Sequence, residues 1–524
     1  MMIGKKLYKC LYLAVIASFL FVTTKNNVFL LKSAVLTSFE NDATFSELVD
    51  SIKNEYVSGF NRKNFYINLN GLYAKVCGRR EVNTVVTLEN GMLGYKESGK
   101  IDNIISKAEA LIQFQEYLTE NQIPFLYVQA PCKLDLKDEL QVEGFKNYSN
   151  ENADAMLEIL YERRVNVLDL RPYTVATSKM VQHNFYKTDH HWNSTGAFTA
   201  FQQIIEKIQE LFPDELIKNE YTEMNSWNVE TFEDVFLGSQ GKRVGSYFGG
   251  IDDITLYTPK FETEMSSYTV NHKTFKKGSF EDVNVVTYYV EDAPDYFNKN
   301  NYCVYVGGDY PLYQYRNSMA INDLKVLFLK DSFTLPVQAY LSTLFRELDV
   351  IDPRYFKECS IAEYVSYSQP DLVVLMMNPS VLYDESYFEY GVDSVKKSMF
   401  RVEECLIDNE LIEITSGDSE YTYRTVAENL PNNTKYTISV DNVSVLSGNA
   451  AGVTVSLYNR TKEQHVATRV IDIDYNNRIK SFEWTFSTPE VETDNLQLLI
   501  YAGLSGQTQG NHVDIQDVSL IEYR

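Results

Sequence analysis

Two distant segments of the chain carry the residue types of a serine nucleophile and its base. The run TDHHW, from Thr188 to Trp192, places Asp189 two residues before His191. Far downstream, Ser332 follows the apolar run VLFL within VLFLKDSF. Because a Ser-His-Asp relay is defined by the roles of its members and not by their order, the Asp and His can precede the Ser. The pattern predicts acyl transfer.

Ser332 stands where a buried strand is predicted to turn into a helix that starts near Pro336. Open parallel sheets bind ligands beyond the carboxyl ends of their strands, and a helix N-terminus offers free backbone N–H groups there. The same serine could simply cap the helix. The residues of the distant DHHW run favour catalysis, since Asp189 could hold His191 in the tautomer that accepts the Ser332 proton.

A metal site is the competing interpretation of the same run. Asp189, His190 and His191 are all potential ligands. Adjacent histidine side chains diverge, however, and the other four histidines form no HxxxH or HxH pattern. We therefore expect no metal ion.

Composition narrows the class of protein independently of any candidate site. The chain has 524 residues and is 44% hydrophobic, which is enough for several folded units. Its formal charge of -24 gives a surface that repels polyanions, so we expect no nucleic-acid partner. Six cysteines show no CxxC spacing, and we expect mostly free thiols.

The N-terminal sequence predicts that the chain is targeted to a membrane. Lys5, Lys6 and Lys9 precede an uncharged, mostly apolar stretch from Cys10 to Thr24 that lacks a clear cleavage site. We interpret residues 1–25 as a signal anchor and 26–80 as a stalk or linker. Positive charge before the span keeps that end in the cytoplasm, so the rest of the chain would lie at the extracytoplasmic cell surface, or be secreted if the signal is cleaved.

Residues 81–404 alternate short apolar strands with helical patterns. Examples are PFLYVQAP, VNVLDL, VLFL and DLVVLMM, each with a helical stretch nearby. This order predicts an α/β domain with a mainly parallel sheet and helices on both faces, a three-layer αβα arrangement. Within it, residues 227–317 lack a long helical period and predict a β-rich insertion. Residues 405–524 alternate apolar and polar positions between turn signals, which predicts a separate all-β sandwich.

These residues carry a resemblance. TDHHWNSTGAF, followed by LFLKDSF, IDPRYF and PDLVVLMMNPS, resembles the DHHW family of bacterial surface proteins. That family is related to SGNH-hydrolase-like proteins that O-acetylate alginate and other exopolysaccharides. The resemblance covers roughly residues 80–400 and implies Ser332 as nucleophile, His191 as base and Asp189 as its orienting group. The chain has KDSF where acetylating relatives commonly have a GxS form, which puts activity in question but not the fold.

The resemblance also implies residues that bind substrate or the oxyanion. Lys133 in APCK follows a strand, and Arg354 and Asn378 fall in the matching later segments. Each has an ordinary alternative: a surface charge, a structural ion pair and a turn former, respectively. His190 joins this group as the second imidazole of the DHHW run.

The C-terminal segment resembles jelly-roll carbohydrate-binding modules. NLPNNTKYTISV and VDIQDVSLIE are the matching features. Exposed aromatic rings would stack on sugars, and Tyr458, Trp484 and Tyr501 are the candidates, although alternation buries half of every strand. Asp514 and Asp517 could contribute to a structural calcium site, the one cofactor considered.

Together these features predict an extracytoplasmic O-acetyltransferase that modifies a polysaccharide through an acetyl-Ser intermediate. The related systems imply a membrane-bound O-acyltransferase partner that supplies acetyl groups. Two alternatives remain: a polysaccharide acetylesterase, which needs no such partner, and a catalytically silent glycan-binding protein, which the KDSF departure favours.

Overall fold

The structure is a computed structural model that describes residues 63–523, apart from 138, 141, 143, 214–218, 270–273, 292–294, 358, 393–401, 416–422, 433, 441, 448–451, 473–477, 480–481, 490–494 and 504–510. The predicted anchor and the predicted stalk up to residue 62 lie outside the described residues. None of the helices within these ranges combines the length and apolar character needed to cross a membrane.

The described α-helices follow one another along the chain in this order: α1 Lys63–Val76, α2 Ile104–Glu120, α3 Ser149–Glu162, α4 Arg171–Thr174, α5 Ser178–Asn184, α6 Ser194–Leu211, α7 Asn219–Thr222, α8 Ser239–Val244, α9 Ser246–Gly249, α10 Phe280–Asn284, α11 Thr334–Leu341 and α12 Ile361–Ser368. Short 3₁₀ helices lie at Met224–Ser226, Thr287–Tyr289, Asn301–Val304, Pro379–Tyr383 and Glu385–Phe388.

The strands that precede the C-terminal region are β1 Glu81–Val82, β2 Val85–Thr87, β3 Leu93–Tyr95, β4 Glu97–Ser98, β5 Phe125–Gln129, β6 Lys146–Asn147, β7 Val167–Asp169, β8 Trp227–Phe236, β9 Asp252–Pro259, β10 Met265–Thr269, β11 Thr274–Gly278, β12 Leu312–Asn317, β13 Lys325–Leu329, β14 Glu347–Ile351 and β15 Leu372–Met377. The described residues up to Val85, with Gly241–Gly250, form one compact unit, and Val86–Gln240 with the described residues from Ile251 onward form another.

In the smaller unit, the backbone of Val244 packs closely against helix α1. A Cβ atom on Gly71 would meet the Val244 carbonyl oxygen at 2.1 Å, so only glycine fits there. Asn68 adds a polar contact, because its side-chain oxygen accepts a hydrogen bond from Ser246 N at 2.8 Å.

The larger unit is built on an eight-stranded sheet with the order β11-β10-β12-β14-β13-β15-β5-β7. Strands β14, β13, β15, β5 and β7 are parallel, whereas β12, β10 and β11 extend one edge with antiparallel pairing. The strand sequences VLFL and LVVLMM are apolar at every position because the sheet is buried on both faces. The region predicted as a β-rich insertion contributes β8 to β12, and three of these strands belong to the main sheet.

Two hydrophobic cores lie on opposite faces of this sheet. Residues of α2, α3 and α12 pack on the face that carries Leu327 and Val373. Residues of α6 and α11 pack on the face that carries Phe328 and Val374. The predicted α/β fold class with helices on both faces is therefore confirmed.

The parallel register brings several loops to one edge of the sheet. Leu329 pairs with Ile351 and with Leu375, and Met377 pairs with Gln129. The segments that follow β13, β14, β15 and β5 consequently leave the sheet side by side. This edge is where an open parallel sheet binds its ligands.

The C-terminal region is all-β, as predicted, with strands β16 Val402–Thr415, β17 Tyr423–Leu430, β18 Lys435–Val440, β19 Asn442–Ser447, β20 Gly452–Asn459, β21 Gln464–Asp472, β22 Arg478–Ile479, β23 Phe482–Ser487, β24 Leu496–Tyr501 and β25 His512–Tyr523. One antiparallel sheet has the order β22-β19-β25-β18-β23, with β16 also pairing β25. The other has the order β17-β24-β20-β21. The two sheets are consistent with a β-sandwich.

The sandwich is fixed to the main sheet by buried charges. Arg469 Nη2 lies 2.7 Å from Glu347 Oε2, and Arg316 Nη1 lies 2.8 Å from Asp349 Oδ1 in the same cluster. Apolar residues of both regions also belong to one core. The sandwich and the main sheet therefore share one apolar core and one cluster of ion pairs.

Candidate active site

The loop after β13 presents Ser332 at the carboxyl edge of the sheet. Asp331 is fully buried, and its Oδ1 accepts a hydrogen bond from Phe333 N at 2.8 Å. The backbone carbonyl of Asp331 accepts another from Thr334 N, the first residue of α11. Ser332 lies within this turn and is half-buried. None of the hydrogen bonds found among the described residues uses the Ser332 backbone N–H.

The DHHW loop is fixed at its C-terminal end by helix α6. Asn193 caps that helix, accepting hydrogen bonds from Thr195 N at 3.0 Å and Gly196 N at 3.1 Å. The neighbouring Trp192 is buried and donates its indole N–H to the Phe333 carbonyl oxygen at 2.9 Å. This hydrogen bond joins the residue after His191 to the residue after Ser332, and so ties the two loops together.

The structure brings Asp189, His191 and Ser332 into one hydrogen-bonded line. His191 Nε2 lies 2.8 Å from Ser332 Oγ, and His191 Nδ1 lies 2.6 Å from Asp189 Oδ1. Since the carboxylate can only accept, Nδ1 carries the proton and Nε2 is left to accept the serine proton. This arrangement can activate a serine nucleophile.

Asp189 is held in its charged form. Burial, the largest influence, raises its pKa, but the neighbouring imidazoles of His190 and His191 and hydrogen bonds to the carboxylate outweigh it. The pKa of Asp189 therefore lies well below its usual value. One of those hydrogen bonds comes from Ser239 N, which donates to Asp189 Oδ2 at 2.5 Å.

His190 lies beside the line and not within it. Its ring centroid is 3.8 Å from that of His191, and its Nδ1 lies 2.8 Å from Ser239 Oγ. The side chain is 35% exposed, so it faces the solvent side of the site. It keeps the position of a substrate-binding candidate. Ligand atoms of Asp189, His190 and His191 all fall within 4.8 Å of one another, but hydrogen bonds to Asp189 and Ser332 already engage both His191 nitrogens.

Lys133 is not placed where a substrate could reach its charge. The side chain is buried, and its Nζ contacts the carbonyl oxygens of Tyr186, Lys187 and Asp189 and the side-chain oxygen of Gln240. These acceptors use all three ammonium protons. Lys133 therefore holds the backbone of the DHHW loop, and the predicted surface charge is also ruled out.

Asn378 supports the serine loop from the neighbouring strand end. Its backbone N–H and its side-chain Nδ2 both donate to Asp331 Oδ2, at 2.6 and 2.7 Å. Its Oδ1 accepts from Ser380 N at 2.8 Å, as a turn former does. Asn378 thus fixes Asp331 and, through it, the position of Ser332.

Arg354 belongs to a partly buried cluster of four charges. It makes a two-point contact with Asp352, at 2.9 and 2.6 Å, and lies 3.3 Å from Asp309. Lys330 contacts Asp309 and lies 3.6 Å from Asp352. The structural ion pair is therefore the reading of Arg354 that the geometry supports. Lys330, the residue that departs from the GxS form, is engaged by these carboxylates.

The aromatic candidates of the sandwich are mostly buried. Trp484 is 2% exposed and packs on Phe486, so it is a core residue and cannot stack on a sugar. Tyr501 is also buried, at 8% exposed. Tyr458 is partly exposed and lies 5.0 Å from the His465 ring. The side chains of Asp514 and Asp517 lie outside the described residues, so the calcium prediction stays a prediction.

Several residues at the site were missed by sequence reasoning. Ser239 and Asp331 act through backbone N–H contacts that no motif reveals. Tyr302 stacks on His191 with ring centroids 3.8 Å apart. No sequence motif marks Tyr302 as part of the site.

The sequence and the fold were compared with known proteins. The model of the SGNH hydrolase-like domain of acetyltransferase AlgX matches residues 94–234, a stretch that includes Asp189 and His191 but not Ser332. A comparison with curated proteins finds no significant relative.

Solved structures with a similar fold include PatB1 of Bacillus cereus, with 21% identity, a TM-score of 0.50, and coverage of 58% of this chain and 99% of that one. A DHHW family protein from Eubacterium siraeum DSM 15702 has 19% identity and a TM-score of 0.44, over 60% of this chain and 94% of that one. Pseudomonas aeruginosa AlgX has 12% identity and a TM-score of 0.31, over 83% and 94%. Residues 94–234 thus match an SGNH hydrolase-like domain model, and the sheet and layers described above agree with the PatB1 fold.

Proposed function

We propose that the protein is a serine O-acetyltransferase that acts on a polysaccharide outside the cytoplasm. The observation that carries the proposal is the hydrogen-bonded line from Asp189 through His191 to Ser332. It lies at the sheet edge where α/β folds carry their chemistry. The match to an acetyltransferase domain model supports acetyl as the transferred group.

The first half of the reaction acetylates the enzyme. Ser332 Oγ attacks the carbonyl carbon of an acetyl ester while its proton passes to His191 Nε2. The carbonyl oxygen becomes an oxyanion, and the unengaged Ser332 N–H is the donor placed to receive it. The bond to the leaving alcohol then breaks, and that alcohol takes the proton from His191. Asp189 stabilises the positive imidazole in between.

The second half regenerates the serine. A sugar hydroxyl gives its proton to His191 and attacks the acetyl-Ser332 carbonyl, and collapse of the intermediate returns the proton to Ser332 Oγ. The side-chain amide of Asn378 is a second candidate donor to the oxyanion. One of its two Nδ2 protons is donated to Asp331, and the other remains for the oxyanion. An acetyl donor outside the cytoplasm requires a membrane-bound O-acyltransferase partner, which we keep as part of the proposal.

An acetylesterase uses the same residues, with water as the acceptor. The silent glycan-binding alternative rested on Lys330, and the contacts of Lys330 with Asp309 and Asp352 give no reason to expect a disabled nucleophile.

The test measures how acetyl groups divide between transfer to a polysaccharide and hydrolysis to acetate. The full chain is incubated with an acetyl ester, with and without polysaccharide acceptors, and both acetylated polymer and free acetate are measured. We expect acetylated polymer from the wild type and at least a 1,000-fold loss in Ser332→Ala and His191→Ala. Acetate alone, at the same rate with and without polymer, would make the protein an esterase. Full activity in both variants would refute the proposed site.

A further inference from the structure

The ring of Tyr302 lies flat against the ring of His191. The centroids are 3.8 Å apart and the planes differ by only 10°. Tyr302 is 4% exposed, so this contact is shielded from water. The tyrosine comes from the 3₁₀ helix Asn301–Val304, which is more than 100 residues from the DHHW run. The contact is therefore a product of the fold and not of local sequence.

The imidazole is enclosed on both faces. A parallel ring at 3.8 Å fills one face of His191, so His190, also 3.8 Å away, can lie only on the other. The ring of Phe333 adds a third contact, at 5.0 Å. Such packing stops the imidazole from rotating out of the line that joins Asp189 to Ser332.

The hydroxyl group of Tyr302 anchors its ring. It donates to the Phe333 carbonyl oxygen at 3.2 Å, the same oxygen that accepts the Trp192 indole N–H. Burial raises the pKa of Tyr302 well above its usual value, so the hydroxyl stays a neutral donor. One carbonyl thus ties the stacking ring to both catalytic loops.

The backbone that follows Tyr302 is strained. Val306 has a φ of 70°, which is rare for a β-branched residue, and Gly307 and Gly308 also have positive φ values. The turn is held by hydrogen bonds from Val306 N to Asn284 O and from Gly307 N to Cys303 O. It lies between Tyr302, which stacks on His191, and Asp309, which interacts electrostatically with His191.

We propose that Tyr302 is a positioning residue that acts through His191. Its ring fixes the imidazole plane toward Ser332 and, through its electron-rich face, stabilises the positive charge that the imidazole gains during acyl transfer. The inference rests on the proposed function. A shielded cation–π contact of this kind is worth roughly a ten-fold change in an equilibrium or a rate.

The test compares Tyr302→Phe, which keeps the ring, with Tyr302→Leu, which removes it. The readout is the rate at which a small sulfonyl fluoride modifies Ser332: the serine oxygen bonds to sulfur, fluoride leaves, and the serine proton passes to His191. Turnover of an acetyl ester is followed in parallel, and both are measured across pH. Asp189, His190 and Asp309, the other charged or titratable groups near His191, stay in place in every variant.

We expect Tyr302→Phe to stay within about three-fold of the wild type. Tyr302→Leu should lose roughly ten-fold in kcat with little change in KM, and the acid limb of its pH profile should move to lower pH because the imidazolium has lost its support. Tyr313→Leu is the matched control, since it removes a buried tyrosine from strand β12. Thermal unfolding of all variants separates loss of fold from loss of rate.

Three outcomes would overturn the inference. Tyr302→Leu could react at the wild-type rate with an unchanged pH profile. Equal losses in the Phe and Leu variants would assign the effect to the hydroxyl and not to the ring. A folded wild type whose Ser332 is not sulfonylated would refute the nucleophile itself. Sulfonylation without acetyl turnover would instead spare Tyr302 and refute only the proposed reaction.

Discussion

The ammonium group of Lys133 lies 2.5 Å from the backbone carbonyl oxygen of Asp189. It reaches that oxygen from the loop after β5, within a set of four oxygen acceptors. The position of the Asp189 backbone is therefore set by a buried amine from a different strand end, as well as by its own loop.

Removing the Lys133 amine should loosen the DHHW loop. Lys133→Met leaves several buried oxygens without a donor, and we expect a loss of at least about 2 kcal/mol in the free energy of unfolding. The rate of Ser332 sulfonylation should fall 10-fold or more. Chemical denaturation and intact mass measure the two effects. Lys187→Met, which removes an exposed charge from the same loop, should change neither. A fully stable and reactive Lys133→Met protein would contradict the role of Lys133.

The contact between Asn378 and Asp331 predicts a graded effect on the nucleophile. Asn378→Ala removes one of three hydrogen bonds to the Asp331 carboxylate, and we expect a 10- to 100-fold slower sulfonylation of Ser332. Asn378→Asp should be worse, because two buried carboxylates then face each other. The exposed Asn298→Ala serves as control. An Asn378→Asp variant as fast as the wild type would show that the serine loop does not depend on this contact.

Lys330 tests whether the KDSF form is a defect. Lys330→Gly restores a glycine before Asp331 but leaves Asp309 and Asp352 short of a cation. We expect a loss of about 3 kcal/mol or more in the free energy of unfolding and no gain in acyl transfer. Lys277→Met, at a more exposed site, should be neutral. A stable Lys330→Gly variant with faster turnover would indicate that the lysine suppresses activity.

The lowered pKa of Glu347 predicts that the free energy of unfolding depends on pH. Burial raises its pKa, but the guanidinium groups of Arg316 and Arg469 outweigh this and lower the pKa from 4.5 to about 2. A depressed carboxyl pKa stabilises the fold above the unfolded value and loses that contribution as pH falls through the folded one. The contribution, up to about 3 kcal/mol, should thus be complete above about pH 5 and disappear toward pH 2.

Unfolding of Glu347→Gln measured between pH 7 and pH 2.5 checks this prediction. The variant should be less stable at pH 7, and its deficit should shrink as the pH falls. The exposed Glu116→Gln should run parallel to the wild type. A deficit that stays constant with pH would mean that Glu347 contributes by packing and not by charge.

The hydrogen-bonded line of Asp189, His191 and Ser332 could be predicted from sequence because its members have distinctive chemistry in short motifs. A DHHW run and a serine directly after an apolar strand give both the residue types and the sheet edge at which they meet. The alternation of strands and helices likewise predicted the α/β layers, and the alternation of apolar and polar positions predicted the all-β C-terminal region.

What could not be predicted depends on long-range packing. Nothing near Tyr302 indicates that its ring will reach His191, and nothing in APCK distinguishes a buried Lys133 from an exposed one. Trp484 failed as a sugar-binding candidate because alternation shows that half of a strand is buried without showing which half. The sequence does not show that three strands of residues 227–317 pair with the main sheet, because pairing partners are set by register across many residues.

The central claim is that Ser332 forms a covalent acetyl intermediate with His191 as its base. Intact mass of the full chain after incubation with an activated acetyl ester tests it directly, alongside Ser332→Ala and His191→Ala. We predict a single acetyl group that maps to Ser332 in the wild type, none in Ser332→Ala and far slower labelling in His191→Ala. No adduct and no ester turnover in the folded wild type, or an adduct that persists in Ser332→Ala, would contradict the account.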